Sequence, residues 1–135
     1  MKPAQSRASV SIGTSLPAPR VLELAKLAAR QVTDPDRRLR AEDRTSSAVD
    51  LIVRPLGEKT EILRFDVQVD RGGGRTTART SIVDFGVDTG GVRALVPPVR
   101  RKIIGFAMYR TYMQQLASAV QNEDPMAIVT VMTGD

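Results

Sequence analysis

The sequence predicts an α+β fold, a curved antiparallel β-sheet gripping a long C-terminal helix, with a short N-terminal helix after the first strand. Three observations carry this prediction. Apolar residues alternate with polar ones between Val49 and Val69, as on strands with one dry face. The run Gly72-Gly73-Gly74 follows directly and supplies the positive φ of a hairpin turn. In the last third, Val99, Ile103, Phe106, Tyr109, Met113, Leu116 and Val120 step by three and four residues, an apolar stripe on one helix face.

The 135 residues form a single expected domain, 1–135, of a size that buries roughly two thirds of its unfolded surface. With 41% apolar and 26% charged residues in mixed order, the chain reads as globular. It contains no cysteine and no histidine, which removes disulfides, thiolate nucleophiles, imidazole general bases and the common zinc and iron–sulfur ligand sets. No metal or cofactor is expected, and any acid–base chemistry would fall to Asp, Glu, Lys, Tyr or Arg. No apolar run reaches the ~20 residues of a membrane span, and Met1 to Arg7 leads into no signal core, so a cytoplasmic location is expected. The net charge of +5 rests on 16 Arg and 4 Lys that are scattered among acids, a pattern of solvated surface more than of a phosphate track.

In chain order, Val10 and Ile12 alternate with serines and glycine as a first strand. Leu16-Pro17-Ala18-Pro19 breaks it, and Pro19 suits a first helical turn. Val21, Leu24, Ala25, Ala28 and Val32 then give an amphipathic helix of about 13 residues, ended by Asp34-Pro35-Asp36. Val49, Leu51 and Val53 form a strand closed by Pro55-Leu56-Gly57. Leu63, Phe65, Val67 and Val69 face one way and Arg64, Asp66, Gln68 and Asp70 the other. An antiparallel partner covers Thr76 to Phe85, and a last short strand runs through Val92, Ala94 and Val96. After the long helix, Asn122 to Pro125 is a stop, and residues 125–135 form an apolar tail in which Met126–Met132 suits an edge strand or an oligomer contact.

The opening Val10 to Ile12, the turn Leu16 to Pro19, and Val96-Pro97-Pro98 followed by Ile103 to Val120 resemble the helix-grip fold of the Bet v 1/START-like superfamily, including its polyketide-cyclase-like members. The resemblance implies a noncatalytic protein that holds a hydrophobic or amphipathic small molecule, lipid-like or aromatic, between sheet and helix. It implies no catalytic residue by position. The chain departs from the pattern in offering room for four or five strands between Arg37 and Val96, and in continuing past the helix.

A sheet with one apolar face needs a cover, and the stripe of residues 99–120 is the element long enough to supply it. The walls of a ligand cavity would be Leu51, Phe65, Val67 and Val83 from the sheet, with Phe106, Tyr109, Met113 and Leu116 from the helix. Spacing alone favours the alternative that the same side chains interdigitate as a solid core. Two basic clusters, Arg37-Arg38-Leu39-Arg40 and Arg100-Arg101-Lys102, define the alternatives of anion-headgroup, nucleic-acid or anionic-surface binding; the second is the expected anion site. Gly72 to Gly74 lacks the Lys-Ser/Thr ending of a phosphate loop. Asp34 with Asp36, and Glu42 with Asp43, are carboxylate pairs without a third ligand in register. A third functional class is an interaction module pairing through residues 126–132, as a homo-oligomer.

Overall fold

A computed structural model describes residues 4–88 and 102–133 and, at Val87, Asp88 and Lys102, the backbone alone. A 3-10 turn (Ala4–Arg7) leads into β1 (Ser9–Thr14), α1 (Ala18–Arg30), β2 (Arg37–Thr45), β3 (Ala48–Pro55), β4 (Leu63–Gly72) and β5 (Arg75–Phe85). A short pair, β6 (Val87–Asp88) and β7 (Lys102–Ile103), precedes α2 (Phe106–Glu123) and β8 (Ile128–Met132). The fold is α+β: an open six-stranded sheet in the order β2-β3-β4-β5-β1-β8, antiparallel at every pairing, and two helices.

Local chemistry explains most of these elements. Gly73 and Gly74 both take positive φ, 60° and 77°, between the paired residues Gly72 and Arg75, a two-residue hairpin that only glycine-like backbones accept readily. In α1, Ala18 follows an extended Pro17, and Pro19 lies in the first turn, where a missing N–H costs no helical bond. Val21, Leu24, Ala25, Ala28 and Ala29 form its buried face. On the sheet, Val49, Leu51 and Val53 of β3 meet Val67, Phe65 and Leu63 of β4 in register, so the two strands present one apolar face. Val10 and Ile12 of β1, and Thr76, Ala78 and Thr80 of β5, continue it.

The interior is one contiguous core between that face and both helices. Phe65 lies at its centre, 4.7 Å from the Tyr109 ring and 5.2 Å from the Tyr112 ring, centroid to centroid. Both phenols are fully buried and hydrogen-bonded to backbone. The Tyr112 hydroxyl donates to Ala25 O on α1 at 2.8 Å, and the Tyr109 hydroxyl donates to Ala8 O at 2.6 Å. Burial without such partners would cost roughly 1–3 kcal/mol for each hydroxyl.

Two expectations are corrected, the start of the long helix and the place of Val83. The long helix begins at Phe106, since Gly105 adopts φ 82°, which is incompatible with a right-handed helix, and Ile103 pairs in β7 instead of extending the stripe. Arg37–Thr45 is a full strand although it offers only Leu39 and Ala41 as inward apolar residues; its pairing to β3 holds it. Val83 falls at an irregularity in the β4–β5 register, where Arg64 pairs with Asp84 and Phe65 with Ile82. Val83 shares the outward alternation of Thr77 and Arg79 and is 52% exposed, Ile82 packs against the core, and the extra residue brings Phe85 back to the core side opposite Leu63. The strand expected through Val92, Ala94 and Val96 lies outside the described residues, as does Val99.

Candidate functional site

Seven of the eight expected ligand-wall residues come together. Leu51, Phe65, Val67, Phe106, Tyr109, Met113 and Leu116 are all buried and belong to the single core, whereas Val83 stands apart from it. Tyr112 and Met108, which lie beside the counted stripe, are buried with them. A directed chain of hydrogen bonds threads this interior: Val10 N–H donates to Thr80 Oγ1 at 3.0 Å, Thr80 Oγ1 lies 2.9 Å from the Tyr109 hydroxyl, and Tyr109 donates to Ala8 O. With Tyr109's proton committed to the carbonyl, the Thr80 hydroxyl must donate to the phenol. Burial pushes the Tyr109 phenol up to about 12, against a smaller opposing effect of the Thr80 hydrogen bond. Burial also raises Tyr112 well above the ordinary phenol range. Both are therefore neutral structural groups at physiological pH.

The basic clusters are not assembled as one patch. Strand alternation splits the first: Arg38 and Arg40 pair with Arg54 and Ile52 on the outer face, while Arg37 and Leu39 take the helix side. Arg100 and Arg101 lie outside the described residues, as does the side chain of Lys102. Among the described residues, no group of three or more His, Cys, Asp or Glu is placed to hold a metal ion. Asp34 instead accepts the Asp36 N–H at 2.8 Å in a turn, Asp43 pairs with Lys26 at 2.8 Å, and Glu42 stands 3.6 Å from Arg40.

The outer sheet face holds an arrangement that reading single strands does not reveal. Asp50 and Asp66 lie opposite each other on β3 and β4, and Asp66 is 1% exposed despite its outward direction. Arg44 and Arg64 clamp the pair: Arg44 donates to Asp66 at 3.0 Å and Arg64 to Asp50 at 3.0 Å, while Ser81 donates to Asp66 at 2.8 Å. Long arginine stems cover the carboxylates from water. The visible signal was the outward Asp at the same height on successive strands, but register is needed to align them.

Among the described residues, the largest apolar exposure is at the C-terminal edge. Among the described residues β8 pairs with β1 alone, Ile128 to Gly13 through Met132 to Ser9, and its other side carries no paired strand. Met126 is 82% exposed, Ile128 61%, Val131 59% and Met132 58%. Asp124 holds this strand in place. Its Oδ2 accepts from the Thr14 hydroxyl at 2.6 Å and the Ser15 N–H at 3.0 Å, and its Oδ1 accepts from the Met126 N–H at 3.1 Å. These bonds, Thr14 first, hold the Asp124 carboxyl below the usual range. Among the described residues, no helix is long and apolar enough to cross a membrane. Comparison with family models, with curated proteins and with solved structures finds no match for the chain.

Proposed function

We propose that the protein is a noncatalytic interaction module whose partner at β8 is a second copy of itself. The observation that carries this reading is the β8 edge, unpaired among the described residues, tied at its start by Asp124 and flanked by four large exposed apolar side chains. Exposed edges normally carry charge, proline or a bulge that discourages pairing. The opposite edge does: β2 carries Arg37, Arg38, Arg40, Glu42, Asp43 and Arg44. β8, with the sequence Ile-Val-Thr-Val-Met, carries none of these.

Charge and symmetry select the second copy. Antiparallel pairing about a two-fold axis at Thr130 places Ile128 opposite Met132 and Val129 opposite Val131 in both directions, apolar against apolar on each face. No charged side chain of the strand is buried. Pairing β8 to β2 would instead set an apolar strand against six charged residues. The two-fold arrangement uses up the apolar edge of both copies and leaves the charged β2 edge at each end of the joined six-stranded sheets, so assembly stops at a dimer.

Sedimentation of the full chain from micromolar to millimolar concentration tests this. A concentration-dependent dimer that Val131→Lys abolishes, with the circular dichroism spectrum unchanged, is the expected result. A chain that stays monomeric throughout, or a dimer indifferent to that substitution, overturns it.

A further inference from the structure

On the outer face of the sheet, at the edge remote from β8, Arg38 of β2 stands directly opposite Arg54 of β3, and Arg40 stands opposite Ile52. Like charges facing each other across an antiparallel pair are destabilising, and Arg40 adds a third guanidinium on the same strand face. The three line a hollow of about 360 Å³ whose apolar part is Ile52, Pro55 and Leu56 and whose one carboxylate is Glu58. Arg40 and Arg54 each form a long ion pair with a carboxylate outside the hollow, Glu42 and Glu61 respectively. Arg40 Nε stands 3.6 Å from Glu42 and Arg54 Nη2 stands 3.7 Å from Glu61, both beyond hydrogen-bond reach. Arg54 Nε is buried and has no hydrogen-bond partner. Elsewhere the contrast is plain: Arg20, Arg44 and Arg64 all donate to carboxylates at 3.0 Å or less.

We propose that this hollow binds a small organic phosphate, with Arg38, Arg40 and Arg54 on the phosphate oxygens and the apolar body of the ester against Ile52, Pro55 and Leu56. The lining brings three guanidiniums against one carboxylate, Glu58, and a phosphate dianion would compete with Glu42 and Glu61 for Arg40 and Arg54 across their long ion pairs. The planar guanidinium fork matches phosphate geometry, and a bound oxyanion would both satisfy Arg54 Nε and relieve the Arg38–Arg54 repulsion. The hollow is of small-molecule size, and its lining contains no aromatic ring on which a nucleic-acid base would stack. The proposal is independent of pairing at β8.

The test is a titration of the full chain with phenyl phosphate and, separately, inorganic phosphate at constant ionic strength, followed by the arginine Nε–Hε NMR signals. The Arg54 signal should move along a saturating curve. Phenyl phosphate should bind about fivefold more tightly than inorganic phosphate, from its extra apolar contact. Arg38→Gln and Arg54→Gln should each weaken binding roughly tenfold, while Arg79→Gln on β5 and Val131→Lys leave it unchanged. Arg38 is exposed, so its substitution keeps the fold and the experiment interpretable even if Arg54→Gln unfolds. An Arg54 signal that stays still through millimolar phenyl phosphate overturns the proposal, as does parallel, non-saturating movement of all arginine signals. Equal affinity for the two phosphates overturns the role of the apolar floor. Saturable binding of a single-stranded oligonucleotide but not of phenyl phosphate overturns the small-molecule assignment.

Discussion

Phe65 touches both tyrosine rings of α2 and is wholly enclosed, so truncation leaves a void that rigid neighbours cannot refill. Phe65→Ala should cost about 3–5 kcal/mol in urea unfolding, with the m-value unchanged. Tyr112→Phe keeps the ring and removes only the bond to Ala25 O, so about 1 kcal/mol is expected. The two phenols also set the alkaline limb of stability. Their folded values lie above the unfolded value of about 10, so their contribution is whole below that pH and is lost as pH rises through the Tyr109 value of about 12. Absorbance at the tyrosinate band should therefore stay flat past the ordinary phenol midpoint and rise together with the loss of far-ultraviolet circular dichroism. A smooth, independent titration near the ordinary value would contradict the burial of both rings. The heptad-like spacing of Tyr109, Met113 and Leu116 made them legible as interior residues; the carbonyl each phenol would find was not, because Ala8 and Ala25 lie far away in sequence.

Among the elements, α2 and β8 depend most on their boundaries. Gly105 opens α2 with φ 82°, and a Cβ there would meet Leu63 and Val53 at an ordinary 3.6 Å, so the cost of Gly105→Ala is conformational. About 1–2 kcal/mol is expected, with faster amide exchange confined to the first turn of α2. At the other end, Asp124→Asn weakens the acceptor that ties Thr14 and Ser15 to the start of β8. Amides of Ile128–Met132 should then exchange faster than those of β4, at little change in helix content. The hairpin at Gly73-Gly74 and the bounds of α1 were readable locally, since turn φ and apolar periodicity act within a few residues. β2 was not: four arginines and three acidic or polar neighbours disguise a strand that exists because β3 offers it a ladder.

At the scale of the whole molecule, charge is arranged unevenly: one sheet edge is dense in arginine and the other is apolar and uncharged. The acid limb follows from three carboxyls held below their usual range, Glu61 by Arg64, Glu123 by Arg20 and Asp124 by Thr14. Because the native state binds these protons less readily, the stabilisation is present above the ordinary carboxylate value of about 4 and disappears as pH falls through the lowered values. The urea midpoint should drop between pH 5 and pH 2, and Asp124→Asn should flatten that drop; an unchanged slope would mean that the Thr14 bond is absent in solution. Composition and periodicity were sufficient for the α+β class, the β4–β5 hairpin, the first helix and the absence of imidazole and thiol chemistry, all of which depend on residue identity or on neighbours a few positions apart. Where α2 begins, how the Arg37 to Arg40 run divides between two faces and what β8 leaves uncovered were decided only by tertiary structure. Each of these depends on register and packing between segments distant in sequence, and the one-residue shift beside Val83 is enough to bring Phe85 from the outward alternation of β5 back to the core side.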